Sequence, residues 1–599
     1  MQRTFVESVV QARARAWSGG RPPRAGDVVW LHPEKLMTHD NTSAILARFR
    51  AMGGTSIADP EQLVVVLDHD VQNKTPENLA KYAAIEAFAR EHAIEFHPAG
   101  TGIGHQVMIE RGHVRPGALC VAADSHANMY GGLGALGVAV TRSDAAGIWA
   151  SGMFWWEVPE SVRVVFDGKL RPGVTGKDVA LVLCAVYPND VLRAAVEFCG
   201  PGAATLTDDD RLTISNMTTE WGAAAGVFPA PGSESAEARA SYAATITLNL
   251  SEVLSHVSGP DSLTVARPAI LVAGQEIAIQ KAYLVSCANG RLSDLEAAAS
   301  VLRGRRVAPG VELYVAAASA AVQRDAEASG AWGVLLDAGA RPLPSGCGPC
   351  IGLGAGLLRP GETGISSSNR NFKGRMGSAE ARCYLASPAV VAWSAAAGFI
   401  VDQGATLGRS PERRIVRHEV APAPRDDFGP DGAGALTGRL VVFLRDGIDT
   451  DALCPGRLVY KDGASREELA RAVFGSIDPA FASRVRSGDV LVAGARFGTG
   501  SSREQAVTAL MAAGFCAVIA ESFAPSFRRN AWNNGFPAIE RPELVKALRA
   551  RFPDAAEGAL FTSESITVDL AWLPSVARQL IAAGGLDGFL RERRAHGGG

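Results

Sequence analysis

Three cysteines have the types and spacing to do chemistry: Cys287 in Val-Ser-Cys-Ala-Asn-Gly, and Cys347 and Cys350 in Ser-Gly-Cys-Gly-Pro-Cys-Ile-Gly. A Cys-x-x-Cys pair with one remote third thiolate does not complete a closed four-ligand structural site. It suits an iron–sulfur cubane held at three corners, with one iron open to act as a Lewis acid toward a substrate oxygen. Two other readings attach to the pair alone: the redox dithiol of thioredoxin-like proteins, and half of a zinc site. A thioredoxin-type pair should follow a strand and open a helix, whereas glycines crowd both sides of this one and start a helix poorly. A zinc site would want a second Cys-x-x-Cys or a close Cys/His pair, which the sequence lacks.

A second constellation is Val-Ala-Gly-Ala-Arg-Phe-Gly-Thr-Gly-Ser-Ser-Arg-Glu-Gln-Ala, residues 492–506. A strand, a glycine turn, the hydroxyls of Ser501 and Ser502 and the guanidinium of Arg503 at a helix start make an anion pocket. The Gly-Lys-Ser/Thr ending of a phosphate-binding loop is missing. The pocket therefore suits a carboxylate or phosphate, with Ser501 a base if its alkoxide is stabilised.

These residues need a scaffold. Between about 60 and 400, short apolar runs alternate with helical stretches: 63–67 before a helix over 76–92, 118–123 before a glycine-rich turn, and 282–286 before Cys287, a helix over 292–302 and a strand over 311–317. This punctuation predicts parallel α/β layers, in which ligands gather where strands end. At 599 residues the chain exceeds one core. The expected division is a cluster-binding and catalytic region over 1–401, a Pro/Gly-rich linker over 402–436 and a further unit over 437–599. No internal repeat is evident.

Bulk properties exclude several classes. With 59 basic and 62 acidic residues the chain lacks the charge of a general nucleic-acid binder. No apolar run is long enough to cross a bilayer. Nine scattered cysteines do not make a disulfide framework. The N-terminus has no apolar signal core and reads as an ordinary first helix, so a cytoplasmic protein is expected.

Taken together the motifs resemble the aconitase superfamily of iron–sulfur hydro-lyases over nearly the whole chain. The family pattern stands as Val-Ser-Cys-Ala-Asn-Gly-Arg-Leu-Ser-Asp-Leu at 285–295, Cys-Gly-Pro-Cys-Ile-Gly at 347–352, Ser367 to Arg375, and Gly-Ser-Ser-Arg-Glu at 500–504. The resemblance implies an α/β fold of three parallel-type domains around a [4Fe–4S] cluster on Cys287, Cys347 and Cys350, with a C-terminal swivel domain. It also implies that Asp68, His69, His105, Asp124, His126 and Glu220 handle the hydroxyl that leaves or returns as water. Ser501 would be the base. Arg370, Arg375 and Arg503 would clamp carboxylates, with Ser125, Asn216 and Ser502 also binding substrate. Domain closure over the linker would bring Ser501 to the cluster.

Within the superfamily the chain looks most like the homoaconitase branch, with isopropylmalate-type, aconitate-type and specialised-metabolism isomerases as alternatives. Arg457 would read the substrate's variable group. Two departures stand out: Ala288 replaces the usual threonine beside the first ligand, and Ala44 stands about where aconitases carry a glutamine. The implied partner is a small di- or tricarboxylate, with no membrane, no nucleic acid and a monomeric chain. A cluster-free RNA-binding form is the non-enzymatic alternative.

Overall fold

Strand Leu63–Val66 reads Leu-Val-Val-Val and buries all four side chains, as a parallel strand covered on both faces must. In the computed structural model, which describes residues 3–15, 21–230, 241–402, 408–419, 434–455, 465–499, 504–557 and 561–595, it belongs to a five-stranded sheet. The order is Glu95–His97, Leu63–Val66, Lys35–Thr38, Leu119–Ala122, Leu136–Ala139, and every neighbouring pair is parallel. The strand that comes first in the chain sits at the centre. Later strands wind away to either side, so a crevice opens where the winding reverses, at the carboxyl ends of the central strands.

Two more sheets repeat this winding. The second runs Ala225–Val227, Ala195–Cys199, Ser161–Asp167, Ala244–Asn249, all parallel, with Ile415–Arg417 antiparallel at the edge. The parallel part of the third runs Arg382–Ala386, Thr363–Ser366, Lys281–Leu284, Glu312–Val315, Arg341–Pro342. Strands His256–Ser258 and Ala266–Pro268 extend it in antiparallel fashion.

Chain contacts divide the molecule into two compact units, residues 1–50 with 55–424 and residues 51–54 with 425–599. The first holds these three sheets. The second holds a sheet ordered Ala538–Glu540, Phe515–Ala520, Asp489–Ala493, Ala435–Phe443 in parallel, closed by antiparallel Phe561–Asp569. Inside the stretch that composition suggests is a linker, Ile415–Arg417 pairs as a strand. An edge strand needs little burial, and Val416 is 61% exposed, so it leaves no apolar period to read.

Local sequence sets the elements near the site. Helix Leu292–Leu302 buries Leu295, Ala298, Ala299 and Leu302, the spacing of one helical face, against Ala282 and Leu284 of the third sheet. The Asp294 carboxylate accepts the Arg291 N–H at 3.0 Å and caps the helix start directly after the Cys287 loop. The N-terminal helix Phe5–Arg13 is held by a Thr4/Glu7 capping box and buries Phe5, Val6, Val9 and Val10.

Candidate active site

Three adjacent strands of the first sheet deliver acids and histidines to one crevice. Lys35–Thr38 runs into His39 and Asp40, Leu63–Val66 into Asp68 and His69, and Leu119–Ala122 into Asp124, Ser125 and His126. Asp40 organises the turn. Its carboxylate accepts the N–H groups of Asp68 at 3.0 Å, His69 at 2.8 Å and Asp70 at 3.1 Å, and also the Tyr82 hydroxyl. Burial alone would raise its pKa, but the Tyr82 and His69 hydrogen bonds outweigh that and hold the carboxyl ionised.

Asp68 is then fixed from both sides. Oδ1 accepts from His69 Nδ1 at 2.5 Å and Oδ2 from the Gly104 N–H at 2.7 Å. Burial opposes a charge on His69, yet Asp68, Asp124 and Asp40 together lift its pKa to about 9. The His39 ring stacks on His69 with centroids 3.8 Å apart, and burial followed by the charge on His69 lowers its own pKa to about 4. A neutral ring therefore lies against a protonated one.

The second group centres on Asp124, which accepts His105 Nε2 at 2.6 Å and the His126 N–H at 2.8 Å. Burial would raise its pKa, but the two histidines hold it well below the usual carboxylate range. His69 Nε2 lies 3.7 Å from its other oxygen, which joins the two groups. His126 Nε2 meets Glu220 Oε1 at 3.0 Å, Arg370 Nε donates to the same oxygen at 2.6 Å, and Arg370 Nη2 donates to Ser125 Oγ at 3.1 Å. The sequence places His105 among histidines that follow strands. It instead stands in the first turn of helix Gly104–Glu110, because the Asp68 carboxylate takes the Gly104 amide and starts the helix there.

The thiols approach this network from the third sheet. Cys287 follows strand Lys281–Leu284, and Cys347 and Cys350 follow Arg341–Pro342. Ser286 holds a left-handed φ of 96°, rare for a residue with a Cβ, with its hydroxyl accepting the Ala288 N–H at 3.2 Å. Arg291 braces the turn by donating to the Cys287 carbonyl at 2.9 Å and to Thr213 Oγ1 at 2.6 Å. Asn369, at the end of strand Thr363–Ser366, places Oδ1 3.8 Å from the sulfurs of both Cys287 and Cys350 and donates from Nδ2 to Cys287 at 3.5 Å. Asn216 Nδ2 donates to Cys287 at 3.2 Å.

Cys347 is tied to the acid group through backbone. Its N–H donates to the Asp68 carbonyl at 2.7 Å, and the Gly348 N–H to the His69 carbonyl at 3.3 Å. Only glycine fits at 346, where a Cβ would stand 2.7 Å from that Asp68 oxygen. All three thiols are free. Burial, then the neighbouring Cys350, raises the Cys287 thiol to about 12, and burial followed by Asp68 and the other two cysteines raises Cys347 well above the usual range. Cys287 and Cys347 resist ionisation unless a soft cation takes their charge, so the donor set fits an iron–sulfur centre. Nitrogen and oxygen donors also gather, as His39, Asp40, Asp68 and His69, and as His105, Asp124 and His126. Their contacts are histidine–carboxylate hydrogen bonds, suited to holding protons.

The structure thus brings together Asp68, His69, His105, Asp124, Ser125, His126, Asn216, Glu220, Cys287, Cys347, Cys350 and Arg370 around one crevice. Arg375 packs over Phe372, 5.7 Å from the ring centroid, with a buried Nε that has no hydrogen-bond partner among the described residues. Ser501, Ser502, Arg503 and Arg457 lie outside the described residues. Sequence reasoning passed over His39, Asp40, Arg291 and Asn369. His39 and Asp40 carried a usable signal, since they follow a buried strand just as Asp68 and His69 do. Both touch the site.

The chain matches the Aconitase family (aconitate hydratase) over residues 7–234 and 232–398, and the Aconitase C-terminal domain over 461–544. It is similar to proteins named mitochondrial homoaconitase: 47% identical to that of Eremothecium gossypii, over 97% of this chain and 91% of the relative. The counterpart in Mycosarcoma maydis is 45% identical over 94% and 87%, and that in Yarrowia lipolytica 45% over 92% and 87%. These names overturn the expectation of a cytoplasmic protein, since the relatives are named as mitochondrial. The helix-like pattern at the N-terminus reports local structure and does not decide the compartment.

Proposed function

We infer the activity from one premise: the chain belongs to the aconitase family. It is an iron–sulfur hydro-lyase of homoaconitase type, moving a hydroxyl between adjacent carbons of a small tricarboxylate by way of cis-homoaconitate. In our reading the cluster is [4Fe–4S], held by Cys287, Cys347 and Cys350. When bound it supplies a Lewis acid that polarises the C–O bond to be broken. The observation that carries this reading is the convergence of three free thiols, two of them on Asn369, with the Cys347 amide bonded to the carbonyl of Asp68.

The chain's own groups take the remaining tasks. His69 is the acid that protonates the departing hydroxide. It stays protonated at neutral pH, and its side chain is 18% exposed against 3% for His105 and 8% for His126, so it is the ring most open to a ligand. Asp124 anchors His105 and His126 in one orientation, and Glu220 presents Arg370 beside Ser125 as a carboxylate clamp. Ser501 keeps the role of base that the family resemblance gives it, with Ser502 and Arg503 stabilising its alkoxide. Residues 437–599 form the swivel unit in this reading.

The test is anaerobic reconstitution with iron and sulfide, followed by hydration of cis-homoaconitate beside cis-aconitate and isopropylmaleate. Wild type should gain a visible absorption band and prefer cis-homoaconitate. Cys287→Ser, Cys347→Ser and Cys350→Ser should each lose both band and activity, whereas Cys199→Ser should keep them. Full iron content in Cys287→Ser would overturn the ligand assignment.

A further inference from the structure

Lys177 is a buried charge that the reaction leaves without a task. It sits in the first turn of helix Gly176–Val186 at 0% exposure, and Nζ donates to the carbonyls of Ser367 at 3.1 Å and Ser368 at 2.5 Å. These are the residues immediately before Asn369, whose amide touches Cys287 and Cys350. Lysine is almost never fully buried unless its charge is paired. Yet among the described residues no ion pair includes Lys177.

Its electrostatic surroundings point to the thiols. Burial lowers its pKa to about 8, and Cys350 is the largest charge opposing that fall, ahead of Asp294, Asp178 and Cys184. The two carboxylates are weak counter-charges: burial raises Asp178 to about 7 and Asp294 to about 6. Both are also engaged elsewhere, Asp178 with the His256 N–H at 2.9 Å and Asp294 with Asn289 at 2.9 Å. A doubly positive cubane core on three thiolates leaves one net negative charge in a site where water does not screen it.

We propose that Lys177 is the counter-charge of the iron–sulfur centre. It acts as a positioning residue that braces the strand end carrying Asn369 and whose ammonium stabilises the anionic, thiolate-bound centre. The proposal rests on the cysteine ligation given above. A cation at that place favours the more negative, reduced centre, so it should raise the reduction potential as well as the strength of cluster retention.

Lys177→Gln keeps a donor for the two carbonyls and removes the charge, while Lys177→Met removes both. The full-length chain would be compared as apoprotein and after reconstitution, by iron and sulfide content, by redox titration followed by electron paramagnetic resonance, and by thermal melting. Both variants should shift the midpoint downward, with the reduced-to-oxidised ratio at the wild-type midpoint about tenfold lower, about 59 mV for one electron. Loading should raise the melting temperature of wild type more than that of either variant, although the Lys177→Gln apoprotein melts near wild type. An unshifted potential and an equal loading gain in Lys177→Gln would reduce Lys177 to a brace and overturn the proposal. So would failure of both variants to fold as apoprotein, since the lysine would then be needed without the centre. Wild type that takes up no iron would sink the ligand assignment instead.

Discussion

Asp40→Asn probes most directly how the acid group is held. Oδ2 of Asp40 accepts the Asp68 and His69 amides at 3.0 and 2.8 Å, and Oδ1 accepts the Asp70 amide at 3.1 Å together with the Tyr82 hydroxyl. An asparagine keeps one acceptor oxygen and turns an NH₂ toward the other side: facing Asp68 and His69 it breaks both amide bonds, and facing Asp70 it breaks that one while the Tyr82 hydroxyl can turn to accept. Hydrogen bonds to a charged acceptor contribute about 1.5–3 kcal/mol each. The turn can relax, and taking one bond as the net local loss, its opening should become roughly ten- to a hundredfold more frequent. Hydrogen exchange over residues 63–75 reads that directly. Turnover should fall with it, since a misplacement of about 1 Å can cost about 100-fold in rate. KM should move less, because Arg370 and Ser125 are not held by Asp40. Tyr82→Phe, which removes one donor and leaves the carboxylate, should show the same pattern more weakly. Lost turnover with unchanged exchange would mean that Asp40 acts on the substrate itself, and the positioning argument would be wrong.

Two further outcomes follow, one from the same geometry and one from the family resemblance. His69 has its pKa raised to about 9, so the protonated ring is present through neutral pH, and turnover should decline as pH rises through about 9. In His69→Gln turnover should be low and that alkaline limb absent; an unchanged limb would assign it to another group. Ser501→Ala should leave substrate binding largely intact and lower turnover by several orders of magnitude, measured by substrate affinity beside steady-state rate. Near-normal turnover would transfer the base to Ser502 or elsewhere.

What could be read from the sequence depended on whether a residue's role leaves a mark in its neighbours. The thiols did, because Cys-Gly-Pro-Cys and a lone third cysteine have few other uses. Helix Leu292–Leu302 did, since its apolar face and start signal agree. His39 and Asp40 left a fainter mark: they form a histidine–acid pair at a strand end, but the strand before them, Lys-Leu-Met-Thr, opens on a charge and reads less clearly as buried than Leu-Val-Val-Val. Asn369 lay inside a recognised stretch, but a neutral amide carries no charge or titration to single it out. Lys177 was hidden most completely: between a glycine and an aspartate at a helix start it reads as a solvated charge, and only the fold shows it fully buried.

Three parallel sheets of the first unit share one winding, yet no repeat is visible in the sequence. Winding is set by strand handedness and by which strands pair, and any short apolar strand satisfies both. Residue identity is demanded only where the central strands end, and there the sheets diverge. The first supplies acids and histidines, while the third supplies Cys287 and Asn369. Function therefore requires the two crevices to be held in register, and backbone does this. The Cys347 and Gly348 amides bond to the carbonyls of Asp68 and His69, so a thiol and the proposed acid hang on adjacent peptide units. A shift of either loop then moves both partners together, and the distance between acid and ligand varies less than either loop does alone.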